Sequence, residues 1–162
     1  MDRVAIALGS NLGDRAGHIQ FARDRLEGFV TNLRLSSLIE TEPAGMAAPG
    51  PWFVNAAAVG DTSLAPGELM ARLLDIERER GRERPYPDAP RTLDLDLILY
   101  GERVIHEAAL IVPHPRFRER RFVLEPLEEI APDLRDPVTR QTVRELLASL
   151  RLRTPAAEGR RP

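Results

Sequence analysis

The stretch Pro90-Arg91-Thr92-Leu93-Asp94-Leu95-Asp96-Leu97-Ile98-Leu99-Tyr100-Gly101 alternates apolar with other residues and stops at a glycine. That is the pattern of a β-strand. Side chains two apart on a strand share a face, so Asp94 and Asp96 project together while Leu93, Leu95 and Leu97 point the other way. The two carboxylates are about 6.6 Å apart along the strand, close enough to converge on one or two hard cations. Arg91 stands just ahead of them. Cation-binding carboxylates beside a guanidinium are suited to handling a polyphosphate.

Working outward from this strand, Val4 to Leu8 is a short apolar run ending in Gly9-Ser10-Asn11, which predicts a buried strand and a tight turn. A helical period follows in Ile19, Ala22, Leu26 and Phe29, with Asp14 placed to favour the helix start. Leu33, Leu35 and Ile39 alternate as one half-buried strand. Thr41 to Pro51 is too rich in proline and glycine for regular structure, and a loop of that length in a compact domain is usually functional. Trp52 to Val59 reads as another strand. Pro66 and Glu68 suit the first turn of a second helix with apolar face Leu69, Leu73 and Ile76, ending near Gly81.

The loop Arg82 to Pro90 then leads into the aspartate strand. The order β-α-β-β-α-β is the split arrangement of ferredoxin-like folds, an α+β class with an antiparallel sheet and flanking helices. Val104 to Val112 adds a hairpin, and C-terminal helices are expected around Phe122 to Ile130 and Val143 to Leu150. The expectation is one domain over residues 1–150, with 151–162 a frayed tail.

The 162 residues suffice for an ordinary core without covalent staples. A net charge of -2 gives no overall field to attract nucleic acid or a membrane surface. The sequence has no apolar run that would span a bilayer and no signal-like start, so it reads as cytoplasmic. With no cysteine, thiolate nucleophiles, iron–sulfur clusters and cysteine zinc sites are excluded. All 23 basic residues are arginine, which removes Schiff-base chemistry and the lysine of a Walker-type loop. An anion must therefore be held by arginine forks, backbone N–H groups or metal.

Each candidate has a plainer explanation beside it. An Asp-x-Asp on a strand is usually a solvated face, but aspartate is depleted in strands and this pair lies within an apolar run. Arginine alternating with glutamate from Glu77 to Arg84 would ordinarily be a salt-bridged helix end. Arg82 and Arg84 fall after Gly81, where the helix should have stopped. Phe53 and Phe122 taken alone are ordinary core rings. Asn55 precedes Ala56-Ala57 in a buried strand, where an unpartnered amide is costly, so something must satisfy it. Arg116, Arg118 and Arg121 read as surface charge, and His18 and His106 as structural.

In order along the chain stand Gly9-Ser10-Asn11, Thr41-x-Pro43, Phe53-x-Asn55-Ala56-Ala57 and Glu77-x4-Arg82-x-Arg84. Pro90-Arg91-Thr92-Leu93-Asp94-Leu95-Asp96, Val112-Pro113-His114 and Arg120-x-Phe122-Val123-Leu124-x-Pro126-Leu127 complete the set. Together, over about residues 4 to 150, they resemble the 6-hydroxymethyl-7,8-dihydropterin pyrophosphokinases of folate biosynthesis. The resemblance implies transfer of the diphosphate of ATP to the pterin hydroxymethyl group, with AMP released. It also implies magnesium (two ions) as cofactor, ATP as co-substrate, and small-molecule partners only. A monomer is the expected state, a weak dimer its alternative.

By the same resemblance Asp94 and Asp96 are the metal ligands, and they join Arg82 and Arg91 in catalysis. ATP contacts fall to Glu77, Arg82, Arg84, Arg91, Leu97, His114 and Arg120. The pterin is held by Thr41, Pro43, Ala44, Phe53, Asn55 and Phe122, the two rings stacking on its faces. The sequence departs from the family pattern at Asp88-Ala89, where Trp-Gly is usual, with Tyr86 the candidate substitute ring. Leu74, Ala109, Ile111 and Pro115 replace polar or aromatic residues often seen near ATP. These changes bear on nucleotide affinity and loop ordering. The residues by themselves leave two other readings open: a metal-dependent phosphoesterase, and a binding module without chemistry.

Overall fold

The structure is a computed structural model that describes residues 1–42, 51–81 and 92–154, together with the backbone of 160–161. The apolar N-terminal run forms β1 (Asp2–Ser10). After it, α1 (Arg15–Leu26) starts at Asp14, whose side chain accepts the Gly17 N–H at 3.1 Å. That contact satisfies one of the donors a helix start leaves free. β2 (Thr31–Leu35), β3 (Ile39–Thr41) and β4 (Phe53–Thr62) follow. α2 (Pro66–Glu79) begins with proline in its first turn, and Glu68 accepts the Ala65 N–H. The aspartate strand is β5 (Asp94–Tyr100), and the hairpin is β6 (Ile105–Glu107) with β7 (Leu110–Val112). A 3-10 turn (Phe117–Glu119), α3 (Arg121–Ile130) and α4 (Val143–Arg153) complete the helices described.

β1 lies between β5 and β4, and β4 carries β2 and β3 on its far side, all antiparallel. This is the expected βαββαβ sheet with its second strand in two pieces. One face packs Ile6, Leu8, Leu95 and Leu97 against Leu26, Leu69 and Leu73 of α1 and α2. The other packs Ala5, Ala57 and Ile98 against Val123, Leu127 and Leu147 of α3 and α4. Each large aliphatic side chain so buried stabilises the fold by roughly 1.5–3 kcal/mol, so both helix layers are held to the sheet.

The second strand is where the structure departs from simple alternation. Leu35 stands opposite Ala58 and Ile39 opposite Asn55. Four steps on one strand therefore match three on the other, so one extra residue is inserted between them. Leu33 and Leu35 pack on the α1/α2 face. Ile39, paired with Asn55, lies on the opposite face, because directly opposed residues share a face. The single strand expected through Leu33, Leu35 and Ile39 is thus two, joined by a bulge that turns the chain over.

The C-terminal region also differs from the frayed tail expected over 151–162. Arg151 to Arg153 continue α4, and the backbone of β8 (Arg160–Arg161) pairs with Glu40 and Thr41 of β3. A row of free N–H and C=O groups on an edge strand is a ready template for such pairing.

Candidate active site

Position along each strand decides which side chains meet. Asp94 stands opposite Gly9, and Gly9 opposite Asn55; Asp96 stands opposite Ala7, and Ala7 opposite Ala57. Phe53 stands opposite Thr41. Asp94, Asp96, Asn55, Phe53 and Thr41 therefore share the face covered further along by α3 and α4. Between the aspartates and Asn55 the central strand offers only Ala7 and Gly9. A Cβ at Gly9 would already stand 3.5 Å from Asn55 Oδ1, so any larger side chain would fill the space between the two groups. The result is a shallow trough with carboxylates on one side and an amide on the other.

Asn55 is 6% exposed, and its Nδ2 donates to Thr41 Oγ1 at 2.8 Å. This is the partner its buried position demands. Both aspartates are half-buried, whereas Leu95 between them is in the core.

The residues after the hairpin close over the same end. The Val112–Pro113 bond is cis, and the His114 N–H donates to Ile98 O at 2.9 Å, which docks His114 beside β5. Its Nδ1 accepts the Arg116 N–H at 3.1 Å. Burial lowers the His114 pKa from its ordinary 6.5, and the Arg120 charge lowers it further against the pull of Asp94. Burial and Arg116 likewise lower the Arg120 pKa, while Asp96 and Asp94 raise it. These mutual influences put His114, Arg120, Asp94 and Asp96 in one electrostatic neighbourhood. The Arg120 guanidinium lies 5.5 Å from the Phe122 ring centroid, so the phosphate candidate and the stacking candidate are adjacent.

Two residues expected to contact ATP have buried side chains. The Leu97 side chain is 2% exposed and packs in the core on the face away from the aspartates, so only its main chain can face a ligand. Glu77 is also 2% exposed, and its Oε2 accepts the Leu95 N–H at 2.7 Å, a tie between α2 and β5. Pro43, Ala44, Arg82, Arg84 and Arg91 lie outside the described residues, as do Tyr86 and Asp88-Ala89.

Two of the arginines read as surface charge are cross-links. Arg118 donates to both oxygens of the fully buried Asp136, at 2.5 and 3.0 Å. Arg121 donates to Thr154 O, joining the start of α3 to the end of α4. Arg116 is on the surface as expected. His18 is structural, accepting a 2.7 Å hydrogen bond from Arg80 Nε. The sequence reading missed Asp136, whose place in Leu-Arg-Asp-Pro looks like an ordinary turn, and Glu129, whose carboxylate takes three hydrogen-bond contacts from Ser37.

Among the described residues no helix is long and apolar enough to cross a membrane. The family model for 7,8-dihydro-6-hydroxymethylpterin-pyrophosphokinase (HPPK) matches residues 5–132. The 2-amino-4-hydroxy-6-hydroxymethyldihydropteridine pyrophosphokinase of Pseudomonas aeruginosa is 44% identical over 92% of this chain and 92% of its own length. That of Bacillus subtilis is 43% identical over 86% of this chain and 84% of its own. Among solved structures, wild-type HPPK-DHPS of Plasmodium falciparum superposes with a TM-score of 0.73 at 15% identity, over 94% of this chain. At that identity the likeness shows the fold alone, and this chain spans 44% of that longer one. The extent and depth of these matches show that the chain belongs to the 7,8-dihydro-6-hydroxymethylpterin-pyrophosphokinase family, whose activity on hydroxymethyldihydropterin is a step of folate biosynthesis.

Proposed function

We propose that this chain transfers the diphosphate of ATP to the hydroxymethyl group of 6-hydroxymethyl-7,8-dihydropterin, giving the pterin diphosphate and AMP, with Asp94 and Asp96 holding the magnesium the reaction needs. One observation carries the reading. A single sheet face joins two half-buried carboxylates to a buried amide across a floor of Ala7 and Gly9. A planar heterocycle set against Asn55, with its hydroxymethyl arm over the floor, has that arm directed at the carboxylate side.

The donor set fits magnesium, which takes oxygen ligands, keeps several waters and is commonly held by one or two carboxylates plus substrate phosphates. Two aspartates at alternate strand positions supply that number. Held by Asp94 and Asp96, magnesium would supply positive charge to offset that of the phosphates.

The chain's own residues account for the rest. Asn55 offers both a donor and an acceptor to a pterin amide edge, and Thr41 Oγ1 fixes its orientation. Phe53 and Phe122 supply flat apolar faces, where offset stacking adds roughly 0.5–1.5 kcal/mol beyond burial. Arg120, beside Asp94 and Asp96, carries positive charge toward the transferred group, and His114 stands with it. Arg82, Arg84 and Arg91 are the further phosphate ligands, with Pro43 and Ala44 completing the pterin side. In the reaction a bond forms from the hydroxymethyl oxygen to the β-phosphorus. The bond from the β-phosphorus to the oxygen that leaves with AMP breaks, and the hydroxyl proton passes to solvent. No covalent intermediate on the protein is required when both substrates are bound together.

Product analysis tests this reading. Incubation with MgATP and the reduced pterin should give AMP and pterin diphosphate in equal amounts. ADP with a pterin monophosphate would indicate an ordinary kinase. Free phosphate released without pterin would indicate a hydrolase.

A further inference from the structure

We propose that Glu129 is a positioning residue for the pterin pocket, acting through the bulge that turns Thr41 toward Asn55. This rests on the pterin reading of those two residues. The inserted residue between Leu35 and Ile39 decides which face Thr41 occupies. Had the register of Leu35 with Ala58 continued unbroken, Thr41 would stand opposite Trp52 and point to the α1/α2 side. With the insertion it stands opposite Phe53, on the face of Asn55 and the aspartates. A one-residue slip moves every following side chain to the other face, so the bulge is a condition of the Thr41–Asn55 hydrogen bond.

Contacts at Ser36 and at Ser37 hold the bulge. Ser36 N–H donates to Ala57 O at 2.9 Å in the ladder, but the returning Ala57 N–H donates to the Ser36 hydroxyl, also at 2.9 Å. A side chain has replaced a backbone carbonyl as acceptor. The next residue, Ser37, is exposed and turned away from β4. Its N–H lies 3.0 and 3.1 Å from the two Glu129 oxygens, and its hydroxyl donates to Oε2 at 2.8 Å. Glu129 is on α3, and Phe122 lies two turns earlier on that helix. One carboxylate thus fastens the helix bearing the stacking ring to the segment bearing Thr41.

Because both Ser37 and Glu129 are exposed, the tie contributes little to global stability. Its removal should be felt in pocket geometry. The experiment compares wild type, Glu129→Ala, Glu129→Gln and Ser37→Ala. It reads the Asn55 side-chain amide and Thr41 backbone amide by NMR without ligand, and equilibrium titrations with 6-hydroxymethylpterin and with MgATP. Glu129→Ala should shift both amide signals and weaken pterin binding about fivefold, the scale of one ordinary hydrogen bond, with MgATP affinity within about twofold. Glu129→Gln keeps an acceptor oxygen and should recover most of the loss. Ser37→Ala, which keeps the N–H, should shift the same signals less, and it decides the matter if Glu129→Ala does not fold.

Unchanged Asn55 and Thr41 signals, or equal losses of pterin and MgATP affinity, would overturn the role. If wild type neither binds the pterin with a non-hydrolysable MgATP analogue present nor forms pterin diphosphate, the functional reading fails, and the two amide signals still decide whether Glu129 sets the bulge.

Discussion

Glu77 Oε2 accepts the Leu95 N–H at 2.7 Å, and Leu95 is the residue between the two aspartates. Among the described residues β5 is the outer strand of the sheet, with β1 on its other side, so no described strand meets a backbone donor that points outward at this point. A buried carboxylate from α2 takes that place and fixes the start of the strand from the face opposite the trough. Removing it should cost stability and, through β5, activity. Glu77→Ala is expected to lower stability by about 1–3 kcal/mol, the cost of a buried donor left unpaired. Denaturant unfolding measures it. Turnover in the folded fraction should fall as well, and unchanged turnover would separate Glu77 from the aspartates.

Phe122→Ala should weaken pterin binding more than ATP binding. The ring lies on α3 beside Arg120, and its loss removes a stacking face while leaving the charge in place. Separate titrations with the two ligands check the asymmetry. An unchanged pterin affinity would refute the stacking role.

Asp136 makes stability sensitive to acid. Burial alone would raise its pKa. The Arg118 fork, the Val138 N–H and the Thr139 hydroxyl together hold it below the ordinary 3.8. The folded state thus binds this proton less readily than the unfolded chain. The stabilisation is full above about pH 4 and is lost as pH falls toward the lowered value. Asp136→Asn should show a shallower loss of stability below pH 4 than wild type, by denaturant unfolding at several pH values. Asp136→Ala, which leaves Arg118 without its buried partner, should cost about 3–5 kcal/mol at neutral pH.

His18 works at higher pH with the same sign. Burial and the Arg80 charge lower its pKa from 6.5, and its Nδ1 must be unprotonated to accept the Arg80 hydrogen bond. The contribution is present above about pH 6.5 and fades as the solution is made more acidic. His18→Gln can offer its carbonyl oxygen to Arg80 and does not titrate. The slope of stability between pH 7 and 5 should be smaller in this variant than in wild type, the remainder belonging in part to His114.

Much of this fold was legible because it is periodic. The βαββαβ order, the caps at Asp14 and Glu68, and the common face of Asp94 and Asp96 all follow from spacing along one chain. The bulge at Ser36 and Ser37 was not. Leu33, Leu35 and Ile39 stand even numbers of residues apart in the sequence, as if on one face, and only pairing with β4 shows that the last of them has changed faces. The same holds for polar groups whose partners are far along the chain. Asn55 demanded a partner, but nothing local pointed to Thr41. Arg118 looked like surface charge because Asp136 is 18 residues away. Glu129 stands 92 residues from Ser37, and on its own helix it is an ordinary exposed glutamate.

The most direct test is a crystal grown with manganese in place of magnesium and a non-hydrolysable ATP analogue, read by anomalous scattering and paired with turnover of Asp96→Ala. The expected result is a cation about 2.1 Å from carboxylate oxygens of both Asp94 and Asp96, and a folded variant without pyrophosphokinase activity. A cation bound elsewhere, with those carboxylates turned to solvent and Asp96→Ala turning over at the wild-type rate, would contradict it.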